Sequence, residues 1–213
     1  MSFRHEQTDN HSETIKRSSS QLYLQLLTIG DTNIFYNYEY NWKKSHLEYQ
    51  FKDFINHFLR VSGKPLSFLD FNLSYKFGKD IAYREIIPQL GYETNINFDI
   101  EFAINNNLRV KPIISYQDIR KDDSNGYYFK GYIGRLDVRY QFNNNLDIRL
   151  ISEYNDFSEQ VFLQPLISWR PNPDTIFYLG GNQNYINNFI DYNSPYYRVN
   201  KTQLFLKFQY LFK

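Results

Sequence analysis

The sequence predicts an all-β protein, an antiparallel up-and-down transmembrane β-barrel with about 10–12 strands visible, an incomplete barrel as it stands in this chain. Three observations predict it. Apolar residues recur at every second position from Gln21 onward, a spacing that a helix would scatter around its axis and a strand gathers on one face. Strand formers dominate the composition, with 20 Tyr and 19 Phe in a chain of 213 residues. Short turns and longer loops alternate along the chain, as they do between the two ends of an outer-membrane barrel.

Composition also excludes. With 24 basic against 23 acidic side chains, no charge excess points to nucleic acid or to an anionic surface. The absence of Cys removes disulfides, thiolate zinc sites and cysteine nucleophiles. Mean hydropathy is -0.61, and no apolar run approaches the roughly 18 residues of a spanning helix, a limit that does not apply to spanning strands.

Residues 1–20, MSFRHEQTDNHSETIKRSSS, are polar and Ser-rich, with neither the apolar run nor the cleavage site of a signal peptide. They are expected to be a disordered leader or linker, and residues 21–213 the barrel domain. Ile34, Tyr36, Tyr38, Tyr40 and Trp42 alternate with Phe35, Asn37, Glu39 and Asn41, and Leu47, Tyr49 and Phe51 form a second short run. Leu69 to Phe77 alternates with Asp70, Asn72, Ser74 and Lys76; Leu90 to Phe102 alternates with Glu93, Asn95, Asn97, Asp99 and Glu101. The latter run exceeds the usual soluble strand of about 5–6 residues and matches the about 9–11 of a membrane strand. Runs at Tyr128 to Phe142 and Leu204 to Phe212 complete the pattern.

The segment Ile104-Asn105-Asn106-Asn107-Leu108 recurs as Phe142-Asn143-Asn144-Asn145-Leu146, so one hairpin is used twice. Asn suits a tight turn because it tolerates left-handed angles and bonds its own backbone. Centring the first turn on Asn106 sets Glu101 opposite Lys111. Centring the second on Asn144 sets Arg135 opposite Glu153 and Arg139 opposite Arg149, with Asp137 and Asp147 as diagonal neighbours. These eight residues are expected to form a charge ladder facing the lumen. Short connections are expected at Gly30 to Thr32, at the two Asn turns and at Pro171 to Asp174, and long ones at Gly78 to Pro88, Asp118 to Gly126 and Asn187 to Tyr197. The count is roughly eleven strands; an odd number cannot close simply, so strands upstream of this chain are expected.

No catalytic, cofactor-binding or metal-binding residue stands out. His5 and His11 lie in the polar leader, and His46 and His57 are expected to be solvated beside turns. Asp122 to Gly126 has the oxygen ligands and Gly of a calcium loop but lacks its spacing and distal Glu, so a polar turn is expected. The Tyr residues are read as interface girdles, with a glycan-stacking platform as the alternative; Tyr36, Tyr38 and Tyr40, in the middle of one strand, fit neither.

His46 to Gly63 (HLEYQFKDFINHFLRVSG), Leu166 to Gln183 (LISWRPNPDTIFYLGGNQ) and the closing NKTQLFLKFQYLFK carry a resemblance, through Asp53, Asn56, Phe58 and Gly63, through Trp169, Pro171, Asn172, Pro173, Phe177 and Gly180, and through Tyr210-Leu211-Phe212. Over most of residues 21–213 the chain resembles the C-terminal region of large Gram-negative surface proteins with an N-terminal carbohydrate-binding-family-nine-like module and a domain of unknown function forming an outer-membrane barrel. The resemblance implies an outer-membrane location, outer-membrane lipid and the barrel-assembly machinery as partners, and no catalytic residue. Assembly machinery reads an aromatic-rich last strand; here Phe212 is penultimate. Neither a signal peptide nor the binding module is present, so the chain is expected to be the C-terminal part of a larger protein, and no glycan function transfers. The expected role is membrane anchor or pore, with no cofactor and no enzyme activity; the alternative is a soluble carbohydrate-binding protein using a Tyr-rich face.

Overall fold

Period-two patterning sustained over long runs should give long strands, and it does. A computed structural model describes residues 1–9, 15–28, 31–122, 125–188 and 196–212. Twelve strands follow one another: β1 (Ser2–Asp9), β2 (Ile15–Thr28), β3 (Thr32–His46), β4 (Tyr49–Leu66), β5 (Leu69–Ile81), β6 (Leu90–Ala103), β7 (Leu108–Lys121), β8 (Tyr127–Asn143), β9 (Leu146–Asn155), β10 (Gln160–Asn172), β11 (Thr175–Asn188) and β12 (Tyr196–Tyr210). They form one sheet in sequence order, so the fold is all-β, antiparallel and up-and-down. Its order begins at β1 and ends at β12; among the described residues no β1–β12 ladder closes it into a barrel. Contacts gather into two units, Met1–Pro65 with Phe71–Phe98 and Ser115–Gly131, and Leu66–Asp70 with Asp99–Ile114 and Tyr132–Lys213.

The polar leader expected at residues 1–20 is replaced by β1 and the start of β2, paired from Ser2↔Tyr23 to Asp9↔Ile15. Antiparallel pairing is made by backbone groups, so a segment with few apolar side chains can join a sheet as its edge, where polar and charged residues also discourage further pairing. His5 sits in this ladder, its Nδ1 3.0 Å from Ser20 Oγ, rather than in a solvated tail. Among the described residues there are twelve strands, and the odd number on which the expectation of upstream strands rested no longer holds. His11, Gly30, Ser124, Lys213 and most of the loop expected at Asn187 to Tyr197 lie outside the described residues.

Turns agree with the expectation and refine its cause. Asn105 Oδ1 accepts from the backbone N–H of Asn107 and of Leu108, both at 2.8 Å, and Asn143 Oδ1 accepts from Asn145 and Leu146 at 2.8 and 2.9 Å. The repeated hairpin is therefore closed by one side-chain device used twice. Left-handed backbone falls elsewhere, at Asp31, Leu47, Asp53 and Glu159. No extra strand interrupts residues 78–88; β5 runs on to Ile81 and the connection to β6 follows.

Gly78 is the one described glycine with positive φ, 129°, and a Cβ there would run into the carbonyl oxygen of Ile55 on β4. Strained φ and a backbone clash act together, so Gly78→Ala is expected to cost about 2–3 kcal/mol. Equilibrium unfolding in urea checks this; a midpoint equal to that of the parent would show that β4 and β5 can separate locally at no cost.

Candidate functional site

Alternation gives each strand two faces, and the register decides which residues share them. In the unit containing β9 to β12, Arg139↔Arg149, Leu166↔Arg149 and Leu166↔Gly180 define one cross-strand row, and Gln141↔Asp147, Ser168↔Asp147, Ser168↔Tyr178 and Tyr178↔Lys207 the next. These rows lie on the polar face. On the opposite face Leu146, Trp169, Phe177 and Phe208 form a row, followed along the strands by Val138, Leu150, Leu179, Leu204 and Leu206, and then by Tyr154, Val161 and Tyr185.

Burial is inverted relative to a water-soluble core. On inner strands Leu150, Trp169 and Leu179 are 43%, 49% and 45% exposed, and on the edge strand β12 Leu206 and Phe208 are 75% and 58% exposed, whereas Ser168 on the polar face is 3% exposed. Among the described residues more polar than apolar ones are buried. Sparse single apolar residues on a surface are ordinary, but a contiguous exposed apolar face opposite a partly buried polar one is not.

The charges on the polar face are mostly paired. Arg135 lies opposite Glu153, with Nη1 3.7 Å from Oε2, the partner the sequence predicts. Arg139 stands directly opposite Arg149, also as predicted. Glu101 and Lys111, expected opposite each other, take other ion-pair partners: Glu101 meets Arg109 at 3.3 Å and Lys111 meets Asp99 at 3.1 Å. Although Ile104 N donates to Leu108 O at 3.0 Å, as a hairpin centred near Asn106 requires, long side chains reach diagonal neighbours as readily as direct ones. Asp147 takes its cation from β10, Arg170 Nη1 at 2.7 Å. Asp137 makes no ion pair among the described residues.

A second cluster, which sequence reasoning missed, lies in the unit containing β2 to β6. Lys76 Nζ is 2.6 Å from Asp80 Oδ2 and 2.5 Å from Glu93 Oε2, and Lys44 Nζ is 3.6 Å from Asp80 Oδ1. Gln117 Nε2 donates to Glu93 Oε1 at 3.1 Å. On β2 and β3, Arg17 Nη2 and Gln21 Nε2 both donate to Glu39 Oε1, at 2.6 and 3.0 Å. The sequence signal, charged residues at alternate positions of β5 and β6, marks the face but does not say which strand supplies each partner.

The Tyr-rich strand β3 now has an explanation. Tyr36 Oη is 2.7 Å from His57 Nδ1, Tyr38 packs edge-on to the same imidazole at 5.4 Å, and Tyr40 Oη donates to Asp53 Oδ1 at 2.9 Å. His57 is therefore not a solvated turn residue; it lies in mid-strand and stacks on Phe77 with centroids 4.5 Å apart. His46 is edge-on to Tyr83 at 4.8 Å. A groove of about 500 Å³ opens here, lined by His57, Tyr75, Phe77, Tyr92, Lys79 and Arg120 among others. Lys79 also binds Asp122 at 2.5 Å. Amphipathic side chains with their polar ends partnered can occupy an otherwise apolar face.

No family model matches this chain, and no curated protein matches it. No described cluster of three or more His, Cys, Asp or Glu could hold a metal ion.

Proposed function

We propose that this chain is a membrane-inserted β domain of an outer membrane, the C-terminal part of a larger surface protein that it anchors, with the polar face turned away from lipid. The inverted burial carries this reading: lipid replaces water as the medium that favours an exposed Leu204, Leu206 and Phe208, and charged groups are favoured on the shielded face only where they are paired. Aromatic placement supports it. Between Trp169 and Val161, whose row holds Tyr154 and Tyr185, β10 rises roughly 26 Å at ~3.3 Å per residue, which at a tilt of about 35–45° spans about 19–22 Å of the about 25 Å apolar band between aromatic girdles. Lipid and the barrel-assembly machinery are its partners on this reading, and chemistry on a substrate has no place in it.

Flotation tests the reading. The full chain refolded from urea with liposomes is expected to float with them through a sucrose gradient and to resist extraction by alkaline carbonate. Recovery as a stable β protein in detergent-free buffer would overturn it and favour a soluble protein whose aromatic groove beside His57 and Phe77 stacks on sugar rings. Planar-bilayer recordings then separate anchor from pore: an anchor gives no unitary conductance steps.

A further inference from the structure

We infer that Arg139, Arg149 and Arg170 form a binding site for a phosphate- or sulfate-bearing oxyanion on the polar face of β8 to β10. Three guanidinium groups and one carboxylate line a cavity of about 330 Å³. The carboxylate, Asp147, is already engaged by Arg170 at 2.7 Å. That leaves Arg139 and Arg149, placed directly opposite each other by the register, with no ion pair among the described residues. Like charges facing across an antiparallel pair are destabilising, so an arrangement that keeps both is stabilised by an anion between them. Arg149 Nε is buried and has no hydrogen-bond partner, a donor that an anion held by this residue would satisfy.

The rest of the lining suits the same ligand. Gln141, Ser168 and Tyr178 border the cavity with amide and hydroxyl donors, and Lys207 sits over the Tyr178 ring, 5.9 Å from its centroid. Paired planar guanidiniums present forked donors that match the oxygens of a tetrahedral anion, where an ammonium offers only a point charge. Asp137, on the same face of β8, does not line the cavity. The site lies within one unit and does not depend on whether the apolar face contacts lipid.

Calorimetric titration of the full chain, in micelles or in buffer according to its solubility, tests the site with inorganic pyrophosphate and glucose 1-phosphate as separate arms and sodium chloride at matched ionic strength as reference. Binding in either phosphate arm is expected, the tighter arm naming free or sugar-borne phosphate as the source. Arg149→Gln should weaken it at least tenfold and Arg139→Gln/Arg149→Gln abolish it, while Lys201→Gln leaves it unchanged. Without ligand, Arg149→Gln should melt no lower than the parent, because it relieves repulsion; a residue that merely braces the sheet would lower the melting temperature. Heat no greater than that of chloride, or undiminished binding by the double variant, overturns the site.

Discussion

Leu206→Arg is expected to destabilise the protein folded in a bilayer by about 1–3 kcal/mol, the cost of a cation on the lipid face between the aromatic girdle and mid-membrane. Leu206 is 75% exposed and lies on the apolar face between Leu204 and Phe208, paired with Leu179 of β11. In water the same substitution at so exposed a site should change stability by less than about 0.5 kcal/mol. The two media thus predict effects several-fold apart for one residue. Urea titration of the parent and variant in lipid vesicles, followed by Trp169 and Trp42 fluorescence, reads the difference. Equal midpoints would mean that Leu206 faces water and would remove the main support for membrane insertion. Lys207→Ala, one residue away on the other face, is the control and should have a small effect.

Lys76→Met should cost about 3 kcal/mol. Lys76 is the shared cation of Asp80 and Glu93, at 2.6 and 2.5 Å, and both carboxylates are buried. Removing one member of a buried charge set leaves the others uncompensated, which typically costs about 3–5 kcal/mol; the ammonium's own side chain is 31% exposed, which argues for the low end. Lys44, 3.6 Å from Asp80, relieves Asp80 in part and leaves Glu93 the more exposed to the loss. Lys76→Met/Glu93→Gln should therefore recover a substantial part of the stability, an interaction that a double-mutant cycle isolates. A double variant as unstable as Lys76→Met, measured by the same unfolding titration, would mean that Lys76 contributes through packing of its stem and not through its charge.

Much of the fold was legible because a strand has a period of two residues and Asn marks its turns. Alternation from Leu69 to Phe77 and from Leu90 to Phe102 is local information, and so is the turn centred near Asn144, from which the Arg135–Glu153 and Arg139–Arg149 pairs follow by counting. The polar strand β1 was not legible, because backbone hydrogen bonds pair a strand whatever its side chains. Tyr36 and Tyr38 made no sense until β4 brought His57 beside them, an adjacency set by strand order rather than by spacing.

The sequence by itself determined that the sheet has an apolar and a charged face, and which residues stand opposite one another across the second Asn hairpin. Only the tertiary structure decided that the apolar face is the exposed one, that Asp147 belongs to Arg170 rather than to a neighbour within its own hairpin, and that Lys76 holds Asp80 and Glu93 together. The physical reason is range: alternation and turn chemistry act within about ten residues, while burial and the choice of charge partner depend on which strand lies alongside, and diagonal reach lets a long side chain take the better of two neighbours.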